Sequence, residues 1–175
     1  MTISRSSCKK YVSITNFDSK HPSKEYFKVM AYNKENLSTF TGAKHAITCS
    51  NGTDALLLAM MSLDIQPGDE VITTPFTFIS TAETIALMKA KPVLADCSSE
   101  DNWNVSAESI SKVITNKTKA VVVVHYAGYP CDMQPIVDLC KEKGVFLIED
   151  CAHAPGAFID NKAVGTWGDI GCFSF

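Results

Sequence analysis

The sequence predicts an α/β fold, a mainly parallel sheet flanked by helices, and three observations carry that expectation. Short apolar runs alternate with longer helical runs along most of the chain. The run "KAVVVV" (119–124) has no polar face, as a strand covered by helices on both sides requires. Turn signals separate helical runs from the strands that follow, as in "QPGDE" before "EVITTP" and Gly144 before "VFLIEDC". In such sheets ligands bind at the carboxyl ends of the strands, which directs attention to the residues just after each one.

The elements follow in order. Residues 1–22 are polar and weakly patterned and read as a mobile lead-in to a single domain over 23–175. A helix is expected over 24–40, then a short strand in "HAITCS" and a buried Ala/Leu/Met-rich helix in "NGTDALLLAMMSLDI". "QPGDE" is a turn leading to the strand "EVITTP", followed by a helix in "TFISTAETIALMKA" and a strand in "KPVLADC". Ser106 is placed to cap a helix in "NVSAESISKVIT". After the four-valine strand, "DMQPIVDLCKEKG" reads as a helix closed by Gly144, and "VFLIEDC" as the next strand. The last eight residues, "GDIGCFSF", read as a further strand beginning.

Composition narrows the function. The chain is 46% hydrophobic and 20% charged, which is globular, and its formal charge of −3 offers no general attraction to nucleic acid or an anionic membrane. The seven cysteines are odd in number and include no C-x-x-C pair, and "MTISRSSCKK" has no apolar signal core. Reduced thiols and a cytoplasmic location are the expectation. The sequons at Asn36, Asn51, Asn104 and Asn116 are then chance matches.

Four constellations fall at strand ends. In "CSNGTDALLL", Ser50, Asn51, Gly52, Thr53 and Asp54 join a strand to a helix start, where free N–H groups and a hydroxyl can take an anion. The same residues also fit an ordinary capped helix. Phe76 and Phe78 straddle the next strand-to-helix turn, either as core or as a face for a flat ligand. His125, Tyr126 and Gly128 follow the valine strand, and a lone histidine there fits a hydrogen-bonded structural residue. The fourth, "VFLIEDCAHAPGA", is the most informative. Alternation sends Glu149 and Asp150 to opposite faces, and His153 follows Asp150 in a small-residue loop. A carboxylate at the exit of a buried strand must be paired or hydrogen-bonded. Cys151 and His153 alone do not make a zinc site, and no G-x-S-x-G elbow supplies a hydrolase nucleophile. What remains is a carboxylate that keeps a heteroaromatic ring nitrogen protonated, as in pyridoxal phosphate (PLP) enzymes.

Taken together and in order, "SNGTDALLLA", "PGDEVITTPFTFISTAE", "KPVLADC", "TKAVVVVHYAGYPCDM" and "VFLIEDCAHAPGA…VGTWGDIGCFSF" resemble the DegT/DnrJ/EryC1/StrS family of PLP-dependent sugar aminotransferases. The resemblance implies the partial large domain of a fold type I aminotransferase. It implies Gly52, Thr53 and Asp54 at the phosphate turn, Phe78 stacked on the pyridine ring and Asp150 on its nitrogen. It also implies His153 beside the ring hydroxyl and Ser174 reaching the phosphate, with Asp150 and His153 as the catalytic pair. Glutamate as amino donor, a nucleotide-linked keto sugar as acceptor, and a homodimer are further implications. The first 22 residues and "KEYFKVMAYNKENLSTF" depart from the family's usual N-terminal pattern, which touches substrate handling. In the family the lysine that holds the cofactor lies five residues beyond the serine matched by Ser174, corresponding to position 179. Lys162, in the loop before the last strand, is not placed to replace it. The expectation is therefore a chain inactive by itself and dependent on a C-terminal portion. A sugar dehydratase with histidine at that position, or a non-catalytic interaction fragment, are the alternatives.

Overall fold

The structure of the protein, a computed structural model, describes residues 11–15 and 34–174. The order is β1 (Tyr11–Thr15), α1 (Lys34–Thr41), β2 (His45–Cys49), α2 (Gly52–Ser62), β3 (Glu70–Thr73), α3 (Ser80–Leu87) and β4 (Lys91–Leu94). It continues with α4 (Ala107–Val113), β5 (Thr118–Val124), α5 (Met133–Lys143), β6 (Phe146–Asp150), β7 (Phe158–Ile159), β8 (Lys162–Ala163) and β9 (Ile170–Cys172). Seven described strands form one sheet in the order β2-β1-β9-β6-β5-β3-β4, every pair parallel. The α/β expectation holds.

Alternation along β5 and β6 builds the two helical layers. Ala120, Val122, Phe146 and Ile148 face α2 and α3, packing with Leu56, Met60 and Ile85. Val121, Val123 and Leu147 face the other way, onto Ile110 of α4 and Met133, Ile136 and Cys140 of α5. Continuing that alternation puts Asp150 on the α2/α3 face and Glu149 on the α5 face.

Local chemistry accounts for the ends of the elements. Ser106 caps α4 with a full capping box, its side chain accepting from Ser109 N–H while the Ser109 hydroxyl accepts from Ser106 N–H. Gly144 closes α5 in the left-handed region at φ 70°, where a side chain would be strained.

Four boundaries differ from the sequence reading. Tyr11–Thr15, inside the stretch read as a lead-in, is a strand lying between β2 and β9. The first helix is Lys34–Thr41, and the part expected over 24–33 lies outside the described residues. Helix α3 starts at Ser80 rather than at Thr77, leaving 74–79 as an irregular turn over the strand ends. Lys162, placed in a loop by the sequence, sits in the short antiparallel hairpin β7–β8.

Candidate active site

The cavity sits where the parallel-sheet rule puts it, over the carboxyl ends of β2, β5, β6 and β9. It has a volume of about 330 Å3 and is lined by Gly52, Thr53, Phe78, Asp150, His153 and Ser174, among others. Six of the seven site residues that the resemblance implies therefore line one cavity, Asp54 being the exception.

One end of the cavity is the N-terminus of α2. Asn51 is the cap: its side-chain oxygen accepts from Asp54 N–H at 2.8 Å, while its amide donates to the Asp54 carboxylate at 2.9 Å. Asp54 is thus drawn into the cap and does not line the cavity. Gly52 and Thr53 come before any intrahelical acceptor, so their N–H groups and the positive end of the helix dipole suit an anion. Ser174, at the exit of β9, closes this end. A Cβ added to Gly52 would lie 3.0 Å from Ser174 Cβ and 3.1 Å from its Oγ, so the glycine is what lets the two segments approach.

The other end is built on Asp150. Its Oδ2 accepts from the Thr81 hydroxyl at 3.0 Å and its Oδ1 from Ala152 N–H at 3.1 Å. Burial pushes the carboxyl above the usual carboxylate range. The Ala152 N–H, the Thr81 hydroxyl, His153 and His125 pull it the other way without cancelling the burial. A buried carboxylate with only two donors fits a cationic partner entering from the cavity. Phe78 is 67% exposed and offers a free aromatic face. These donors and acceptors fit PLP: helix N-terminus and hydroxyls at one end, an aromatic face, and an acid at the other. No lysine lines the cavity among the described residues.

Phe76 belongs instead to an aromatic array beside the cavity. Its ring lies 4.6 Å from Trp103 and 4.8 Å from Tyr126, and Tyr126 meets His153 edge-on at 6.1 Å. Gly128, at φ 85°, has His153 O 3.2 Å from where a Cβ would be, so the turn after β5 presses on the His153 loop. His125 is fully buried and hydrogen-bonded, the structural role the sequence allowed it.

Sequence reasoning did not single out Thr81 as a partner of Asp150, nor the environment of Glu149. Threonine in the first turn of the helix facing the site was the available signal for Thr81, and an acid inside an apolar strand the signal for Glu149. His125, Glu149 and Cys151 place three potential ligand atoms together, but both Glu149 oxygens are already occupied by hydrogen-bond donors. The six described cysteines are free, and burial drives the Cys151 and Cys172 thiols well above their ordinary range, so they pack rather than react. No described helix is long and apolar enough to cross a membrane.

Known proteins resemble this chain in sequence and in fold. Residues 19–175 match the model of the DegT/DnrJ/EryC1/StrS aminotransferase family. The GDP-perosamine synthase of Vibrio cholerae is 49% identical over 136 residues, covering 78% of this chain and 37% of that protein. The aminotransferase structure from Psychrobacter cryohalolentis superposes with a TM-score of 0.79 at 44% identity, covering 81% of this chain and 36% of that one. The PLP form of Spr1654 from Streptococcus pneumoniae gives 0.77 at 27% identity, covering 81% of this chain and 40% of that one. The chain thus spans well under half the length of the proteins it matches. With the family's match running across the whole cavity, the chain belongs to the DegT/DnrJ/EryC1/StrS aminotransferase family.

Proposed function

We propose that the chain from β1 onward, residues 11–175, forms the N-terminal part of the large, PLP-binding domain of an aminotransferase, since β1 lies inside the sheet between β2 and β9. Its reaction moves an amino group from glutamate to a nucleotide-linked keto sugar. The observation that carries this is the buried Asp150 carboxylate, held by Thr81 and Ala152 in the same cavity as the α2 N-terminus. When bound, PLP supplies an electron-accepting pyridinium ring that stabilises negative charge at the substrate carbon.

The chain's own residues then have distinct tasks. Asp150 holds the proton on the ring nitrogen, its carboxylate stabilised by the cation it faces. Thr81 fixes the orientation of that carboxylate. Gly52, Thr53 and Ser174 take the phosphate, Phe78 covers a ring face, and His153 stands beside the ring hydroxyl. The lysine expected of such enzymes comes from outside the described residues. Phe78 and Ile79, 67% and 65% exposed beside the cavity, fit burial against a second subunit in a homodimer.

The test is an absorbance titration of the chain with PLP. Saturable binding that Asp150→Ala weakens is expected, whereas equal binding by both proteins overturns the assignment. Amino transfer from glutamate to nucleotide keto sugars is assayed separately.

A further inference from the structure

We propose that Glu149, which does not touch the cavity, is a positioning residue for its phosphate end. It holds Ser174 in place through the loop of residues 165–168. The inference rests on the PLP reading above and deepens it.

Glu149 is fully buried on the face of β6 opposite Asp150. Its Oε1 accepts from the N–H groups of Trp167 and Gly168, both at 2.7 Å. Its Oε2 accepts from Gly165 N–H at 2.7 Å and meets His125 Nε2 at 3.1 Å. His125 Nδ1 accepts from Cys131 N–H at 3.1 Å, so the ring proton lies on Nε2 and points at Glu149. Four donors thus converge on one side chain, two on each oxygen. Three of the four come from a single four-residue loop.

That loop is locked to β9. A Cβ on Gly171 would overlap the Gly165 backbone, and one on Gly165 would fall 2.6 Å from the Phe173 ring. A Cβ on Gly168 would lie 2.5 Å from Leu147 O. Asp169 then clamps β6, its N–H donating to Leu147 O at 2.8 Å and its Oδ2 accepting from Leu147 N–H at 2.9 Å. No slack remains between the loop and Ser174, which follows β9 and rests against Gly52. Displacing the loop therefore displaces the serine relative to the α2 N-terminus. The Asp150 backbone also pairs with β9, at Cys172, but its carboxylate oxygens are held by their own donors, Thr81 and Ala152, and not by the loop.

Such a role makes Glu149 matter for the phosphate and not for the ring. The experiment compares equilibrium binding of PLP with that of pyridoxal, which lacks the phosphate, in the native chain and in Glu149→Gln. The native chain is expected to prefer PLP. In the variant that preference should fall about tenfold, the worth of one charge-assisted hydrogen bond, with pyridoxal affinity unchanged. A variant that keeps the native preference overturns this inference alone. A native chain with no preference for PLP overturns it together with the phosphate-site assignment. Should Glu149→Gln fail to fold, amide hydrogen exchange on the native chain decides. Because coupling is reciprocal, PLP should slow exchange at Gly165, Trp167 and Gly168 while pyridoxal does not. Equal effects of the two ligands overturn the inference.

Discussion

Two acids at opposite ends of the sheet show how the same chemical group is put to different uses. Glu70, at the amino end of β3, receives the Thr115 hydroxyl at 2.6 Å and the Lys91 ammonium at 3.0 Å. Those hydrogen bonds hold its carboxyl below the usual range, Thr115 contributing most. Asp150, at the carboxyl end of β6, has two neutral hydrogen-bond donors and, among the described residues, no ion-pair partner, and burial holds it above that range. The amino end satisfies its charge within the chain. The carboxyl end leaves a charge to be satisfied by something else, and an acid in that condition marks a binding site rather than a stabilising contact.

The largest effect expected from this contrast is on cofactor affinity. On the proposed assignment, Asp150→Ala removes the partner of a cationic ring nitrogen, a loss of about 2–5 kcal/mol in comparable buried charge pairs. PLP affinity should therefore drop about thirtyfold or more by absorbance titration, while Glu70→Ala leaves it unchanged. A matching loss in Glu70→Ala would break the comparison.

Gly52→Ala should come next. Its methyl meets Ser174 at 3.0 Å, tighter than ordinary packing tolerates, and overpacking of this kind costs about 1–3 kcal/mol. PLP binding should weaken by about tenfold with pyridoxal binding little changed, read from the same pair of titrations.

The two acids should also answer pH in opposite senses. Asp150, raised in the folded protein, contributes stability as pH falls through its raised value towards the ordinary carboxylate range, and loses that contribution as pH rises again. Glu70, lowered, contributes above the ordinary carboxylate value and loses it as pH falls through its depressed one. Asp150→Asn should therefore raise the melting temperature of the cofactor-free protein at neutral pH and flatten its rise on mild acidification. Melts of both proteins at several pH values check this; an unchanged rise in Asp150→Asn removes Asp150 as its source. The smallest effect belongs to Lys91→Ala. The Lys91 side chain is 69% exposed, so solvent already screens the pair. A barely measurable shift in melting temperature is expected, smaller than that of Thr115→Val.

What the sequence made legible follows from how local each signal is. The four valines of β5, the Ser106 cap and the Gly144 stop are local statements, and each appears in the structure. The cavity was legible because its parts recur at strand exits, where a parallel sheet gathers them. β1 was not, because its strand character depends on partners some thirty and about 160 residues away in sequence, β2 and β9. The β7–β8 hairpin was missed although Asp160 and Asn161, both at positive φ, are the residues such a tight turn selects. Glu149 was read as facing away from Asp150, as it does, but its three N–H donors arrive from a loop sixteen to nineteen residues later, and no local pattern announces them.

Strand β1 has one further consequence. Gly52 and Thr53 leave the sheet at β2 and Ser174 leaves it at β9, and those two strands are not neighbours. With β1 between them, their axes stand two strand spacings apart, about 10 Å. The chain must lean inward from both sides to bring Gly52 against Ser174, forming an arch whose span is one inserted strand. Remove that strand and its flanks would close to a single spacing, with no room for an arch. The width of this end of the cavity is thus a unit of backbone hydrogen bonding, set in the plane of the sheet by five residues.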